Sequence, residues 1–277
     1  MAALLLAFAS SVAWGAGDFL GGLKSRRLPL LNVLVAAQLV GLVLIGAYVV
    51  LRAEGPPGGD LALWAPLSGL AGAVGLAAFY RGLAVGNMGV VAPISATAAM
   101  VPLVVGVAGG DRPGDLQYAG VALALAGVVL ASREEVGGSG RIARGAGLAL
   151  LSALGFGLFF VGMDQASDED VAWAIFGNRM ASVTVLLAAF AMLRPPVAVR
   201  RSDVPVLAAI GTLDIAANAM FAVASTKDLV SLVSVLGSLY PITTVGLAAV
   251  VLSERPHRVA QVGVVLALSG VALIAAG

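Results

Sequence analysis

The chain has no cysteine and a single histidine, His257, among 277 residues. Disulfides, thiolate nucleophiles and Cys-ligated metals are thereby excluded. One histidine in an expected loop cannot build a His-based metal site or a catalytic triad, and no HExxH run is present. No cofactor is called for. Charge is scarce as well: 11% of residues are charged and the net charge is +1, which points to neither nucleic acid nor a strongly acidic partner. Aromatic residues make up 6%, which weakens the case for an aromatic-walled cavity. What the chain does have is apolar sequence. It is 60% hydrophobic, with a mean hydropathy of +1.02. Too few polar residues remain to cover a water-soluble core, so lipid must be the solvent.

Apolar stretches of roughly 18–23 residues, long enough to cross about 30 Å of hydrocarbon, are read at ten places. They are 2–22, 30–51, 62–83, 88–108, 115–132, 145–163, 171–193, 204–224, 229–252 and 258–276. Charges, prolines and glycine clusters fill the breaks, as short loops require. The runs are continuous, unlike the alternating segments of a β-barrel. The first continues through Trp14 to Leu23 with no basic segment before it, so it reads as a membrane helix rather than a cleaved signal.

One stretch occurs twice. DRPGDLQYAGVALALAGVVL, 111–130, returns as ERPHRVAQVGVVLALSGVAL, 254–273, with ten of twenty positions identical. Duplicated membrane segments are typical of secondary carriers. The predicted fold is an all-α integral membrane protein of ten transmembrane helices, arranged as two inverted five-helix repeats. Residues 1–134 form the first repeat, 135–144 the connection and 145–277 the second.

Because five is odd, the second repeat must enter the membrane from the opposite side. Loop charges agree with this. Lys24, Arg26 and Arg27 after the first span oppose Asp164, Asp168, Glu169 and Asp170 after the sixth. Twelve of sixteen basic residues lie in or beside odd-numbered loops, which the positive-inside rule places in the cytoplasm.

Ionisable groups inside membrane spans are costly and therefore functional candidates. Asp18 lies late in the first span, one turn from Trp14. Asp214 is central in the eighth, with Asn218 one turn along, and Arg179 lies inside the seventh. Asp214, with or without Asp18, is read as binding a proton or an amine, and Arg179 as attracting a carboxylate. The alternatives are a structural ion pair between Arg179 and one Asp, or an Asp18 that merely reaches the interface. Gln38, Asn218 and Ser234 are neutral groups for lining a cavity or bonding helices together. Tyr80 is a cavity candidate too, although with Arg81 it closes the third span, where interfacial anchoring is expected. Tyr240 precedes Pro241 in the ninth span. Pro93 and Pro102 lie in the fourth, its counterpart, so all three prolines are read as gating kinks. Asp111 and Glu254 are expected to cap the helices that follow them. Glycines of the third, fifth and tenth spans suit close helix packing.

These features resemble the drug/metabolite transporter superfamily, in its ten-helix EamA-type branch. The resemblance rests on Trp14-Gly15, on Leu239-Tyr240-Pro241 and on Leu252-Ser253-Glu254-Arg255-Pro256. The first half departs from it, with Gly109-Gly110-Asp111 where the family usually has Gly-Glu, and no Tyr-Pro pair. The resemblance implies a substrate cavity between the repeats, open to one side at a time.

The expected function is secondary transport of a small polar metabolite, an amino acid or similar compound, by alternating access, with export as the direction and protons as the coupling ion. A multidrug or cation antiporter is the first alternative, and a non-transporting scaffold or lipid-handling protein the second. An enzyme is not expected. The expected partners are the small-molecule substrate and the lipid bilayer, with a homodimer through the glycine-bearing fifth and tenth helices as a further option. The expected location is the inner (plasma) membrane, as a multi-pass protein.

Overall fold

A computed structural model describes residues 1–85, 91, 94–131, 142–251 and 258–276. Pro93, Glu254 and His257 lie outside the described residues. Within them the regular structure is helical: α1 (Ala2–Ser25), α2 (Leu30–Arg52), α3 (Leu61–Val85), α4 (Met100–Gly109), α5 (Asp115–Ala131), α6 (Ile142–Ser167), α7 (Val171–Leu193), α8 (Val204–Ser225), α9 (Val230–Gly237), α10 (Tyr240–Val251) and α11 (Arg258–Ala276). Short 3₁₀ turns at Thr97–Ala99 and Arg201–Asp203 precede α4 and α8.

The helices are apolar on every side, the pattern of segments surrounded by lipid or by each other. Val43, Leu51, Leu150, Met192 and Val265 point outward, whereas alanine and serine are prominent among the buried residues. Six helices are long and apolar enough to cross a membrane by length and composition. They correspond to expected spans one, two, three, six, seven and eight. The other expected spans give shorter apolar helices. α5, at 17 residues, is only about 25 Å long at 1.5 Å per residue.

Expected spans four and nine are interrupted. The 3₁₀ turn at Thr97–Ala99 breaks the fourth, and Ser238 and Leu239 separate α9 from α10. Pro102 and Pro241 therefore fall in the first turns of α4 and α10, where a missing N–H loses no helical bond. The residue four before each, Ala98 or Gly237, falls at or beside the break, where a proline leaves a carbonyl without the donor of a continuous helix. Pro66 does lie inside a helix, α3.

α1 packs chiefly on α8, and α3 on α6; α2 touches both α7 and α8, and α3 also touches α7. α4 meets α9, and α5 lies along α11. Glycines set the closest crossings. A Cβ on Gly69 would stand 2.1 Å from the Asn178 carbonyl oxygen, and one on Gly155 2.7 Å from Gly75. On α5, a Cβ on Gly127 would come within 2.3 Å of the Ala267 nitrogen. The glycine stripes of α5 and α11 thus face each other within one chain.

Polar contacts at the helix ends show which loops share a side. Lys24 Nζ lies 2.6 Å from Asp203 Oδ1, and Asn32 donates to the Pro196 carbonyl at 2.8 Å. Loop 26–29 is therefore beside 194–203. At the other end Arg52 Nη1 lies 2.9 Å from Asp170 Oδ2. Asp170 also caps α7, accepting from the Trp173 N–H at 2.9 Å. Partial burial alone would raise its pKa; the Trp173 N–H and the Arg52 guanidinium outweigh that and hold it below the usual carboxylate range. The Asp111 carboxylate accepts from the Ser231 N–H at 3.3 Å. It meets the first turn of α9, not the helix that follows it in sequence, because loop 110–114 folds against that end of the bundle.

Candidate functional site

α1, α2, α3, α6, α7, α8 and α10 all contribute to one cavity of about 70 Å³. Trp14, Asp18, Gln38, Arg179, Asp214, Asn218 and Tyr240 line it, so the fold collects residues that are scattered along the sequence. A smaller adjoining cavity is bounded by Asp18, Tyr80 and Asp214.

One side of the main cavity is polar. Arg179, 2% exposed, places Nη2 2.7 Å from Asp214 Oδ2. Its Nη1 donates to Gln38 Oε1, which also accepts from Ser182 Oγ at 3.2 Å. Gly41 makes room for the guanidinium, since a Cβ there would stand 3.2 Å from Nε. A buried cation is stable only when paired, and Asp214 supplies the countercharge. Asn218 sends its amide to the Asp214 backbone carbonyl at 2.6 Å. Beside the site, Asn178 donates to Ser68 Oγ at 2.8 Å and ties α7 to α3.

Asp18 is different. It accepts from the Tyr80 hydroxyl at 3.2 Å, and no cation is paired with it among the described residues. Tyr80 is buried and directed inward, which corrects its expected role as an interfacial anchor. α3 continues to Val85, so Tyr80 lies more than a turn inside the helix. Ser234 is buried on α9 and donates to the Val230 carbonyl at 2.6 Å, away from the cavity.

The remaining wall is aromatic. Trp14, Phe159, Phe160 and Phe221 form one cluster, with Phe160 and Phe221 ring centres 4.8 Å apart. Phe79, Tyr80, Phe156 and Tyr240 form a second. Five of these eight rings, Trp14, Phe156, Phe159, Phe160 and Tyr240, line the main cavity, out of sixteen aromatic residues in the chain. Low aromatic content did not mean an aromatic-poor cavity, because tertiary packing concentrates the rings.

Sequence reasoning did not single out Phe156, Phe159, Phe160 or Ser182. One signal was available: Phe156-Gly157 in α6 repeats the aromatic-Gly pair Trp14-Gly15 of α1. Both glycines permit a close crossing. A Cβ on Gly15 would stand 2.4 Å from the Tyr240 carbonyl oxygen, and one on Gly157 2.8 Å from that of Ala98.

No curated protein matches the chain. One solved crystal structure, described only as that of a protein, superposes with a TM-score of 0.79 over 98% of this chain and 95% of its own. At 17% identity that likeness shows a shared fold. The EamA-like transporter family model matches residues 1–133 and again 143–276, so this multi-pass membrane protein belongs to the EamA-like transporter family.

Proposed function

We propose that the chain is a secondary carrier that exports a small polar metabolite bearing a protonated amine, an amino acid or similar solute, by alternating access in exchange for protons. The observation that carries this reading is the charge of the cavity. Among its lining residues are two carboxylates and one guanidinium, and that guanidinium already has Asp214. Asp18 is left with a neutral hydroxyl as its partner. A protonated amine can take that place, with aromatic faces beside it, and a proton can replace the amine once it leaves.

The architecture proposed is ten crossings in two inverted five-helix repeats within the inner membrane. Three observations support it. The family model matches once in each half. The end contacts set loop 26–29 beside 194–203 and Arg52 beside Asp170, as oppositely directed halves require. Packing partners also exchange between halves, α1 with α8 and α3 with α6. In such a carrier the bundles rock about the cavity, and the breaks before α4 and α10 act as the gating elements.

The test is substrate-driven proton movement in liposomes loaded with a pH-sensitive dye and challenged with amino acids, polyamines, choline-like cations and drugs. Wild type should acidify or alkalinise with one amine class, and Asp18→Asn should lose that signal. An Asp18→Asn protein that transports normally would sink the proposed role of this carboxylate. Silence in both dye and labelled-solute exchange would leave a scaffold or lipid-handling role instead. A second reading, an antiporter of apolar cations, is favoured by the aromatic wall. It predicts responses to many unrelated lipophilic cations rather than to one class.

A further inference from the structure

We propose that the Tyr240 hydroxyl determines specificity within this cavity, donating to an oxygen on the solute. The cavity would then select amines carrying a hydroxyl, ether or carbonyl group near the ammonium over plain alkylamines. The proposal deepens the carrier reading and rests on it.

Tyr240 opens α10 directly after the break at Ser238–Leu239. It lines the cavity, is 4% exposed, and its hydroxyl has no hydrogen-bond partner among the described residues. Tyr80 is also buried but donates to Asp18. Of these two buried tyrosine hydroxyls, one is therefore committed to Asp18 and the other is not.

Tyr240 cannot readily turn away to find a partner. Phe79 stands edge-on to its ring at 6.0 Å and 87°, and Phe156 at 6.3 Å and 83°. Flipping the ring leaves the hydroxyl in place, because the oxygen lies on the flip axis. The backbone is held as well. Gly15 lets α1 approach the Tyr240 carbonyl closely, and Thr244 donates to the Gly15 carbonyl at 3.0 Å. Gly15 is one turn from Asp18, so this crossing holds the helix carrying the carboxylate against the start of the helix carrying Tyr240.

The pair makes a two-point site. Asp18 on α1 takes the ammonium, and Tyr240 on α10 donates to the neighbouring oxygen. A buried hydroxyl without a partner is costly, and a solute oxygen removes that cost. An analogue with a methyl group in place of the oxygen leaves the hydroxyl unpaired and is rejected.

The test uses a nearly isosteric pair, 2-amino-1-phenylethanol and 2-phenylpropylamine, titrated calorimetrically into the full-length detergent-solubilised protein. Wild type should bind the amino alcohol about tenfold more tightly. Tyr240→Phe, which keeps the ring, should abolish that preference by weakening the amino alcohol alone. Asp18→Asn should weaken both ligands. Equal weakening of both ligands in Tyr240→Phe would overturn the proposal, reducing Tyr240 to ring packing; an unchanged preference would also overturn it. Wild type binding both amines alike would remove the Tyr240 proposal and leave the carrier of amines standing. Wild type binding neither amine would remove both.

Discussion

The two halves meet the cavity with similar glycine crossings and different chemistry. On α3, a Cβ at Gly69 would strike the Asn178 carbonyl on α7; on α8, a Cβ at Gly211 would strike the Ala37 carbonyl on α2. The residue after each of those carbonyls reaches into the site: Arg179 in one case, Gln38 in the other. The spacing that relates Gly69 to Gly211 also pairs Trp14 with Phe156, Asp18 with Phe160, Gly72 with Asp214 and Leu76 with Asn218. Every member of these pairs lines the cavity. Packing positions have been kept alike, whereas charge has not. Asp18 faces no second carboxylate at its counterpart, and Arg179 and Asp214 complete an ion pair for which the first half has only Gln38 and Gly72. Similar glycine crossings thus surround a site whose charges are unequally shared between the two halves.

The sharpest way to break this comparison is to remove the charge that only one half carries. Arg179→Gln gives the second half the residue of the first and leaves Asp214 without a countercharge. Asp214 is a quarter exposed, so the loss should fall at the low end for buried pairs, about 3 kcal/mol. Thermal unfolding in detergent measures it. Adding Asp214→Asn should recover more than half, since no charge is then stranded. A single variant as stable as wild type would mean that the pair is not holding α7 to α8.

Gly69→Ala and Gly211→Ala test whether the packing is as equivalent as it looks. The added Cβ would lie 2.1 and 2.3 Å from a backbone oxygen, so the helices must separate. Each should cost about 2 kcal/mol. Gly46→Ala, whose Cβ would lie 3.6 Å from Phe176, should change stability by less than about 0.5 kcal/mol. Clearly unequal losses at Gly69 and Gly211 would show that the two crossings are not counterparts.

A smaller loss than at the two crossings is expected at the helix starts. Asp170 caps α7 with its side chain, whereas Pro29, at the corresponding start of α2, has no side chain to cap with. Asp170→Ala should cost about 1 kcal/mol. The folded state holds the Asp170 carboxyl below its ordinary range. Its contribution is therefore present above the unfolded pKa, near 4, and is lost as pH falls toward the folded value. Melting curves from pH 6 to pH 3 should fall less steeply for Asp170→Asn than for wild type.

Much of the fold was legible because membrane helices are specified locally. The expected span 171–193 coincides with α7, and 204–224 stops one residue short of α8. Both starts carry acidic or proline punctuation that a sequence displays directly. The breaks inside the fourth and ninth expected spans were less visible. Proline marked their neighbourhood, but a proline in the first turn of a new helix and a proline kinking an old one read alike. At the site, the intramembrane Asp18, Arg179 and Asp214 were conspicuous, because charge in apolar sequence has few explanations. Phe156, Phe159 and Phe160 were not, because aromatic residues in a membrane helix face lipid as readily as a cavity.

The sequence alone determined that this chain lives in lipid, that it is helical, and which helices carry charge at depth. These properties follow from hydropathy and periodicity over about twenty residues, the length of one crossing. Only the tertiary structure decided the partners. It gave Arg179 to Asp214 and Gln38, left Asp18 with Tyr80, folded Asp111 onto α9, and left the buried Tyr240 hydroxyl unpaired. Those pairings depend on how closely helices cross and how they are rotated about their axes. Glycines at the crossings, distant in sequence, decide both.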